Sequence, residues 1–532
     1  MTEPIRIDRI EQLPDVPEPW KLRDWQATAR DFDAIAFDLS AKGEHLPLIW
    51  IDDENGPGED PGFGMPTYVA GPPQRESGEH EAVACLGALV GASVADIDKR
   101  SGKHDFISMA CQYYDEDNQQ LVLNKVAERT GLSYWYEVFP HILFYILVDL
   151  YPRTPRLGRI MRITADRWAE ACRVLSDGRD GPIDFDHTAF DFQSMRPVSN
   201  GKWIEPDAAA GIAWLLHAAY HRWPRRDYLD CARHCMDTLM VREANPLYEV
   251  LLPFAVPVAA RLNAEHGADY DVAKLLRWST GVSDVREGWG MISDQWGGLD
   301  CHGLMGSTID FGGYAFAMNT FVSSSIIVPA ARYDPRLARA IGRWLLNVAN
   351  SARLFYPDEL PPEHQSCPDW EPASRHAVCY EGVCKEYEGR SPYALGDPTR
   401  LNWGKLDFAI YGAAYAGLYA GVVHPTATRG VLALDCLATD FFAEQAYPTW
   451  LYYNPHDTPV TIAAPVGNDP KGVYDTVTHR WLSESTSGGL AVELPPDSAR
   501  VLVITPPRPR QRREGRWRLA QGVVIDYAVP DA

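Results

Sequence analysis

Residues 136–148 (YEVFPHILFYILV) are apolar almost all the way round a helix. Such a helix is stable only when other elements surround it, because no face can be left to water. Residues 164–175 (TADRWAEACRVL) alternate differently, with one apolar stripe suited to a surface position. Buried helices inside, amphipathic helices outside and long loops gathered at one end imply helical hairpins arranged in a ring. Periodicity predicts about twelve helices, at 79–94, 104–114, 134–151, 164–176, 205–222, 226–241, 246–266, 271–280, 314–331, 335–352, 405–421 and 430–443. A helical run at 24–39 and a short strand at 46–51 precede them. No repeat of fixed period is found, which disfavours a regular solenoid.

The pattern changes after residue 445. Short β-branched segments at 447–454, 459–464, 474–481, 490–494 and 498–505, separated by turn residues, read as an antiparallel β-sandwich. The basic run at 507–518 reads as a solvated connector, and 522–527 as a last strand. Two domains are therefore expected, 1–445 and 446–532.

The chain carries a net charge of −22, which disfavours nucleic acid as a partner. No stretch is long and apolar enough for a membrane span and the N-terminus has no signal core, so the expected location is the cytoplasm. The cysteines sit mainly in apolar helical contexts and read as reduced core thiols. No cofactor is called for. Cys367, Cys379 and Cys384 beside Glu381 offer a weak zinc pattern, with Cys-x4-Cys spacing and no adjacent cysteine pair, and no metal site is assigned.

Helices followed by a small β-sandwich resemble the six-hairpin glycosidase superfamily, whose fold is mainly α: an (α/α)6 toroid followed by an antiparallel β-sandwich. The phrases LYYNP (451–455), VYDTVT (473–478) and LPPDSARVLV (494–503) look like that superfamily's C-terminal domain. The resemblance covers about residues 25–505 and identifies no single family. It implies a cleft at one mouth of the toroid and a carbohydrate substrate, by analogy of fold.

Long loops within compact domains usually carry function. Those at 52–78, 180–204, 281–313 and 355–404 all hold acids and aromatics. In 284–320, Trp289 and Trp296 stand beside carboxylates in a glycine-rich stretch, as sugar stacking and acid–base work require. Asp300 and His302 are placed to form a carboxylate–imidazole pair, and Asp310 and Tyr314 to meet on one helical turn. Glu381 lies between Tyr380 and Gly382, in a loop with Trp370 and His376, where apolar surroundings would raise its pKa. Glu205 and Asp207 flank Pro206 at a helix start, beside Trp203; simple capping accounts for them equally well. The catalytic candidates are Asp300, Asp310, Glu381, Glu205 and His302. The substrate-binding candidates are Trp203, Asp207, Trp289, Trp296, Tyr314, Tyr380 and Asp53.

A glycoside hydrolase acting through two carboxyl groups is the first expectation. A uronate lyase would use Tyr314 or His302 as base, with Asn319 and Arg353 to neutralise the substrate carboxylate. A sugar epimerase would use paired histidines, and a non-catalytic protein would bind sugar without turnover. The expected partner is a carbohydrate, and a homo-oligomer is compatible with the sequence.

Overall fold

The computed structural model describes residues 3–54, 56–57, 60–69, 79–124, 132–370, 377–404 and 406–530. Apolar patterning and helix agree closely for some segments, but the helix expected at 164–176 starts at Pro155, that expected from 246 starts only at Ala255, and 104–114 holds just the short helix Phe106–Met109 and a 3-10 turn. Helix α1 is Trp25–Ala36, α2 Ala82–Val94, α3 Tyr134–Leu150, α4 Pro155–Leu175, α5 Ala208–Arg222 and α6 Arg226–Val241. Then come α7 Ala255–His266, α8 Val272–Thr280, α9 Ala317–Ile326, α10 Ala338–Ser351, α11 Ile410–Ala414 and α12 Ala416–Val422.

Burial sorts these helices into two sets. Residues 82–92 of α2 are all buried, as are residues 137–148 of α3 and 208–219 of α5. Each side chain of Leu or Phe size removed from water stabilises the fold by about 1.5–3 kcal/mol. These helices can gain that only by packing on one another. α2 packs on α3, α3 on α5 and α5 on α7. The turn Leu252–Phe254 ahead of α7 packs on α9, α9 on α12, and α12 back on α2. The amphipathic set lies outside: α1 across α12 and α2, α4 across α3 and α5, α6 on α5, α8 on α7 and α10 on α9.

The return contact is made by backbone. A Cβ on Gly91 of α2 would stand 2.0 Å from the Ala414 carbonyl oxygen, and one on Gly417 of α12 would stand 2.1 Å from that of Gly91. The two helices meet at a distance only glycine permits.

Five short antiparallel strands build a sheet over one end of this assembly. They are β1 Trp289–Met291, β2 Met305–Ser307, β3 Tyr314–Phe316, β4 Gly382–Cys384 and β5 Tyr393–Leu395, in the order β5-β4-β3-β2-β1. The helix expected at 314–331 thus begins with a strand, and Asp310 lies in the 3-10 turn Asp310–Gly312. Asp310 and Tyr314 do not share a helical face.

The C-terminal region holds a six-stranded antiparallel sheet of β6 Val423–Pro425, β7 Leu432–Asp435, β8 Thr449–Asn454, β10 Lys471–Asp475, β11 Arg480–Thr486 and β13 Ser498–Thr505. The pair β9 Val460–Ala464 and β12 Leu490–Leu494 covers one face. Ile462, Val492 and Leu494 from the pair meet Val473, Leu502 and Ile504 from the sheet in a common apolar core. Helix α10 packs on β8 and β13.

Two expectations fail here. Residues 430–443 are not a helix: 432–435 joins the sheet, so β structure begins ahead of residue 446. The basic run is no loose connector, because Gln511–Glu514 pairs with Trp517–Ala520, which pairs with Val523–Asp526. Alternation of arginines with Trp517 and Leu519 gives that strand one apolar face, which the charge count concealed.

Among the described residues no helix is long and apolar enough to cross a membrane. All ten cysteines are free and buried.

The glycine contact makes a testable demand. Gly417→Ala should destabilise the protein by at least about 1–3 kcal/mol through overpacking. Gly158→Ala, where a Cβ meets nothing within 4 Å inside α4, should be neutral or stabilising by about 0.5–1 kcal/mol. Equal melting temperatures for the two variants would contradict the packing described.

Candidate active site

The inner helices start at a common end, where polar contacts join several of the starts. The backbone N–H of Ile410 donates to the carbonyl of Thr67 (2.9 Å), and the Thr67 hydroxyl bonds to the Glu81 carboxyl at the start of α2. Trp135 of α3 donates its N–H to Glu205, ahead of α5 (2.9 Å). Tyr248 donates its N–H to Asp207 (3.1 Å), and the Asn319 amide of α9 donates to Glu249 (3.1 Å). Ala317, first residue of α9, donates its N–H to the carbonyl of Glu381 (2.8 Å). Helix N-termini present unpaired N–H groups and a partial positive charge, so carboxylates gather there at reduced cost.

Glu381 is the centre of this end. Strand β4 fixes it from behind, and its own N–H donates to the Asp407 carbonyl (2.9 Å). One carboxyl oxygen accepts from the Tyr68 hydroxyl (2.7 Å) and from Tyr411. The other accepts the backbone N–H of Asp397 (2.6 Å) and the Tyr314 hydroxyl (3.3 Å). Burial, reinforced by the neighbouring Asp397 charge, pushes the Glu381 carboxyl up to about 7.

Asp397 begins the short helix Asp397–Arg400 and is only partly covered. Its carboxylate lies 2.9 Å from the Arg400 guanidinium, one helical turn on. Burial raises its pKa, and the positive charges of Arg400 and Arg286 oppose that rise. Arg400 lies over the Tyr314 ring at 4.6 Å and 3.8 Å from Asp310. Arg286 lies over Trp289 at 3.8 Å and pairs with Glu249. Aromatic side chains border the cluster. Trp403 is 48% exposed and makes an edge contact with Tyr68 at 5.4 Å; Trp203 is 38% exposed.

Of the residues expected from sequence, Glu381 and Tyr314 come together directly. Asp310 reaches only the rim, exposed and held loosely by Arg400. Glu205 belongs to the same end but is saturated, accepting from the Ser133 hydroxyl (2.6 Å), Trp135 N–H and the Trp203 indole (2.9 Å). Asp207 is wholly buried, and burial pushes its carboxyl up to about 8. One of its oxygens has no hydrogen-bond partner.

Other expectations are corrected. Asp300 and His302 do form a pair (2.7 Å), but they are not among the groups contacting Glu381. Trp289 and Trp296, 2% and 1% exposed, are core residues with no face for a sugar ring. Tyr380 is buried, stacked on Phe408 at 4.4 Å with its hydroxyl donating to Gln365 (3.2 Å). Asp53 is exposed, whereas its neighbour Asp52 is buried against His80 (3.2 Å), whose other ring nitrogen meets Tyr113 (2.7 Å). His376 lies outside the described residues.

Sequence reading missed Asp397, Arg400, Tyr68, Tyr411 and Arg286. Asp397-Pro398 with Arg400 three residues on is a helix-start pattern that reads as capping. Tyr68 and Tyr411 carry no local signal.

Among the described residues, Cys367, Cys379, Cys384 and Glu381 do not converge into a metal-binding group. Burial pushes the Cys384 thiol up to about 12.

No protein-family model and no curated protein matches the chain. Among solved structures it is similar to endoglucanase CelQ from Clostridium thermocellum complexed with cellotetraose. That likeness has a TM-score of 0.37 and 10% identity over 98% of this chain and 99% of that one. A TM-score of 0.37 is too low to carry an argument about activity.

The buried Asp207 generates a test. Its folded pKa lies above the ordinary carboxyl value, so the native state keeps a proton that the unfolded chain releases. Its contribution to stability is present below about pH 4 and is lost as pH rises towards 8. Asp207→Asn should therefore gain stability relative to wild type across that window, by on the order of 1.4 kcal/mol per pH unit. Parallel stability–pH curves from chemical denaturation would refute it.

Proposed function

We propose that the protein is a glycoside hydrolase of the six-hairpin type, with Glu381 and Asp397 as its working carboxyl pair. The circuit of packed inner helices supports reading residues up to about 445 as an (α/α)6 toroid and the remainder as a C-terminal sandwich that borrows β6 and β7. The observation that carries the functional reading is Glu381 itself. It is a buried carboxyl group bonded to three tyrosines, its pKa pushed up to about 7, beside a second carboxyl, Asp397, that is only partly covered.

In this reading Glu381 keeps the proton and Asp397, paired with Arg400, carries the charge. For the transfer the Tyr411 contact reverses: protonated Glu381 donates to the Tyr411 oxygen, and the partly exposed Tyr411 hydroxyl gives its own proton to the leaving glycosidic oxygen. Asp397 supports attack at the anomeric carbon by water, or attacks it directly and is released by water afterwards. Either way the leaving sugar gains a hydrogen and the other sugar gains the water oxygen. Trp403 and Trp203 supply apolar faces for sugar rings.

Two observations weigh against the other enzymatic readings. The Tyr68, Tyr314 and Tyr411 hydroxyls all donate to the Glu381 carboxyl, and burial with that neighbouring charge raises their pKa, whereas a lyase tyrosine must be free to give up its proton. His217 and His221, 3.3 Å apart, sit towards the far end of α5 from Asp207, where an epimerase pair would be remote from this cleft.

On a panel of neutral and uronate oligosaccharides, new reducing ends should form without the ultraviolet absorbance of unsaturated sugars. Asp397→Asn and Glu381→Gln should each lower kcat by about 10²–10⁴-fold, while Asp310→Asn should cost less than about tenfold. Wild-type kcat/KM should fall as pH rises through about 7, as Glu381 loses its proton. Absorbance at the expense of reducing ends, or a larger loss in Asp310→Asn than in Asp397→Asn, would overturn the assignment.

A further inference from the structure

His217 and His221 stand four residues apart on α5, on one face of the helix. Their Nε2 atoms are 3.3 Å apart, and the His221 Nε2 is 3.2 Å from a carboxylate oxygen of Glu265, near the end of α7. All three ligand-type atoms lie within 4.8 Å of one another. A tetrahedral zinc site with bonds of about 2.0–2.1 Å has ligand–ligand edges of about 3.3–3.4 Å. The two measured edges, 3.3 and 3.2 Å, lie within about 0.2 Å of that spacing.

Hydrogen bonding alone does not satisfy these groups. The His221 Nε2 also faces an Arg261 guanidinium nitrogen at 3.1 Å. That guanidinium also donates to the carbonyls of Phe441 and Phe442, each at 2.9 Å, and, having no acceptor, can only offer an N–H to the ring. The Glu265 carboxylate on the other side requires the ring to donate. A single imidazole nitrogen donates or accepts, not both. His217 is buried, and its Nε2 is turned to the same point. Both Glu265 oxygens are buried without a well-aligned hydrogen bond. A cation between the three groups would take the two imidazole lone pairs and the carboxylate together, leaving Arg261 to the second carboxylate oxygen, 3.5 Å from its Nε.

The surroundings suit a ligand-bearing metal. The Nδ1 of His221 points to Glu444 at 4.0 Å, a separation that one water spans. A carboxylate on that side favours the tautomer with its proton on Nδ1, which leaves the Nε2 lone pair facing inward. A cavity of about 460 Å³, lined in part by His221, Glu265, Tyr220, Glu444, Trp517 and Tyr527, opens directly onto the cluster. It lies between the helices and the C-terminal hairpin, whose Trp517 indole donates to the Ala264 carbonyl (2.9 Å). From Asp207 to His221 along α5 is about 20 Å at the helical rise, so this end is distinct from the carboxyl cleft.

We propose that His217, His221 and Glu265 form a binding site for a zinc-type divalent cation, with its fourth coordination position open to this cavity. The site joins α5 to α7 beside the C-terminal strands, and a small oxygen- or nitrogen-donor ligand entering the cavity completes the coordination. The proposal is independent of the hydrolase reading.

The test uses the full-length, untagged protein, stripped with a chelator and titrated with cobalt(II) chloride alone. Wild type should take up one equivalent and develop the intense visible absorption of four-coordinate cobalt, which zinc then removes. His221→Gln and Glu265→Gln should each weaken cobalt binding at least tenfold, with Asp397→Asn unchanged. Glu265 lies at the end of its helix, so Glu265→Gln decides the matter if His221→Gln does not fold. Absence of the four-coordinate spectrum, or equal binding by wild type and Glu265→Gln, would overturn the proposal.

Discussion

A helix that begins inside a protein leaves its first N–H groups without partners, and this chain begins its buried helices at one shared end. Each such start has to find an acceptor. Trp135 finds Glu205, Ala317 finds the carbonyl of Glu381, and Ile410 finds the carbonyl of Thr67. The packing of the inner helices and the polarity of this end are therefore one constraint. Apolar helices must surround one another, and their pooled N-terminal charge selects an acidic, tyrosine-rich floor.

Acids on that floor differ in how they are used. Glu205 is spent on donors from Ser133, Trp135 and Trp203, and has little capacity left. Asp207 is sealed in and neutral under ordinary conditions. Glu381 alone combines deep burial, tyrosine donors and a neighbouring carboxylate that still reaches solvent. Arg400 and Arg286 limit the repulsion between the two carboxyl groups, which lets one be charged while the other holds a proton.

Much of the helical layer was legible because an apolar stripe, or its absence, survives in one dimension. Helix α6 was expected at the positions where it occurs, and α3 and α8 within a residue. Residues 430–443 misled because Ala and Leu are frequent there, and only pairing with Val423–Pro425 on one side and Thr449–Asn454 on the other makes 432–435 a strand. Glu381 was legible as an acid in an apolar loop. Asp397, Tyr68 and Tyr411 were not, since their roles depend on distant segments meeting. The tryptophans failed for a related reason: an aromatic beside an acid has the same sequence in a core as on a sugar platform. Trp296 donates its indole N–H to Asp294 (3.2 Å) and is simply packed.

The central claim is that Glu381 is still protonated where ordinary carboxyl groups are charged. Infrared difference spectra of wild type against Glu381→Gln, recorded across a pH titration, report the protonated carboxyl stretch directly. The account predicts one carboxyl band, missing from the variant, that disappears with a midpoint near 7. A midpoint near the ordinary glutamate value of about 4.3, or no difference between the two proteins, would contradict it.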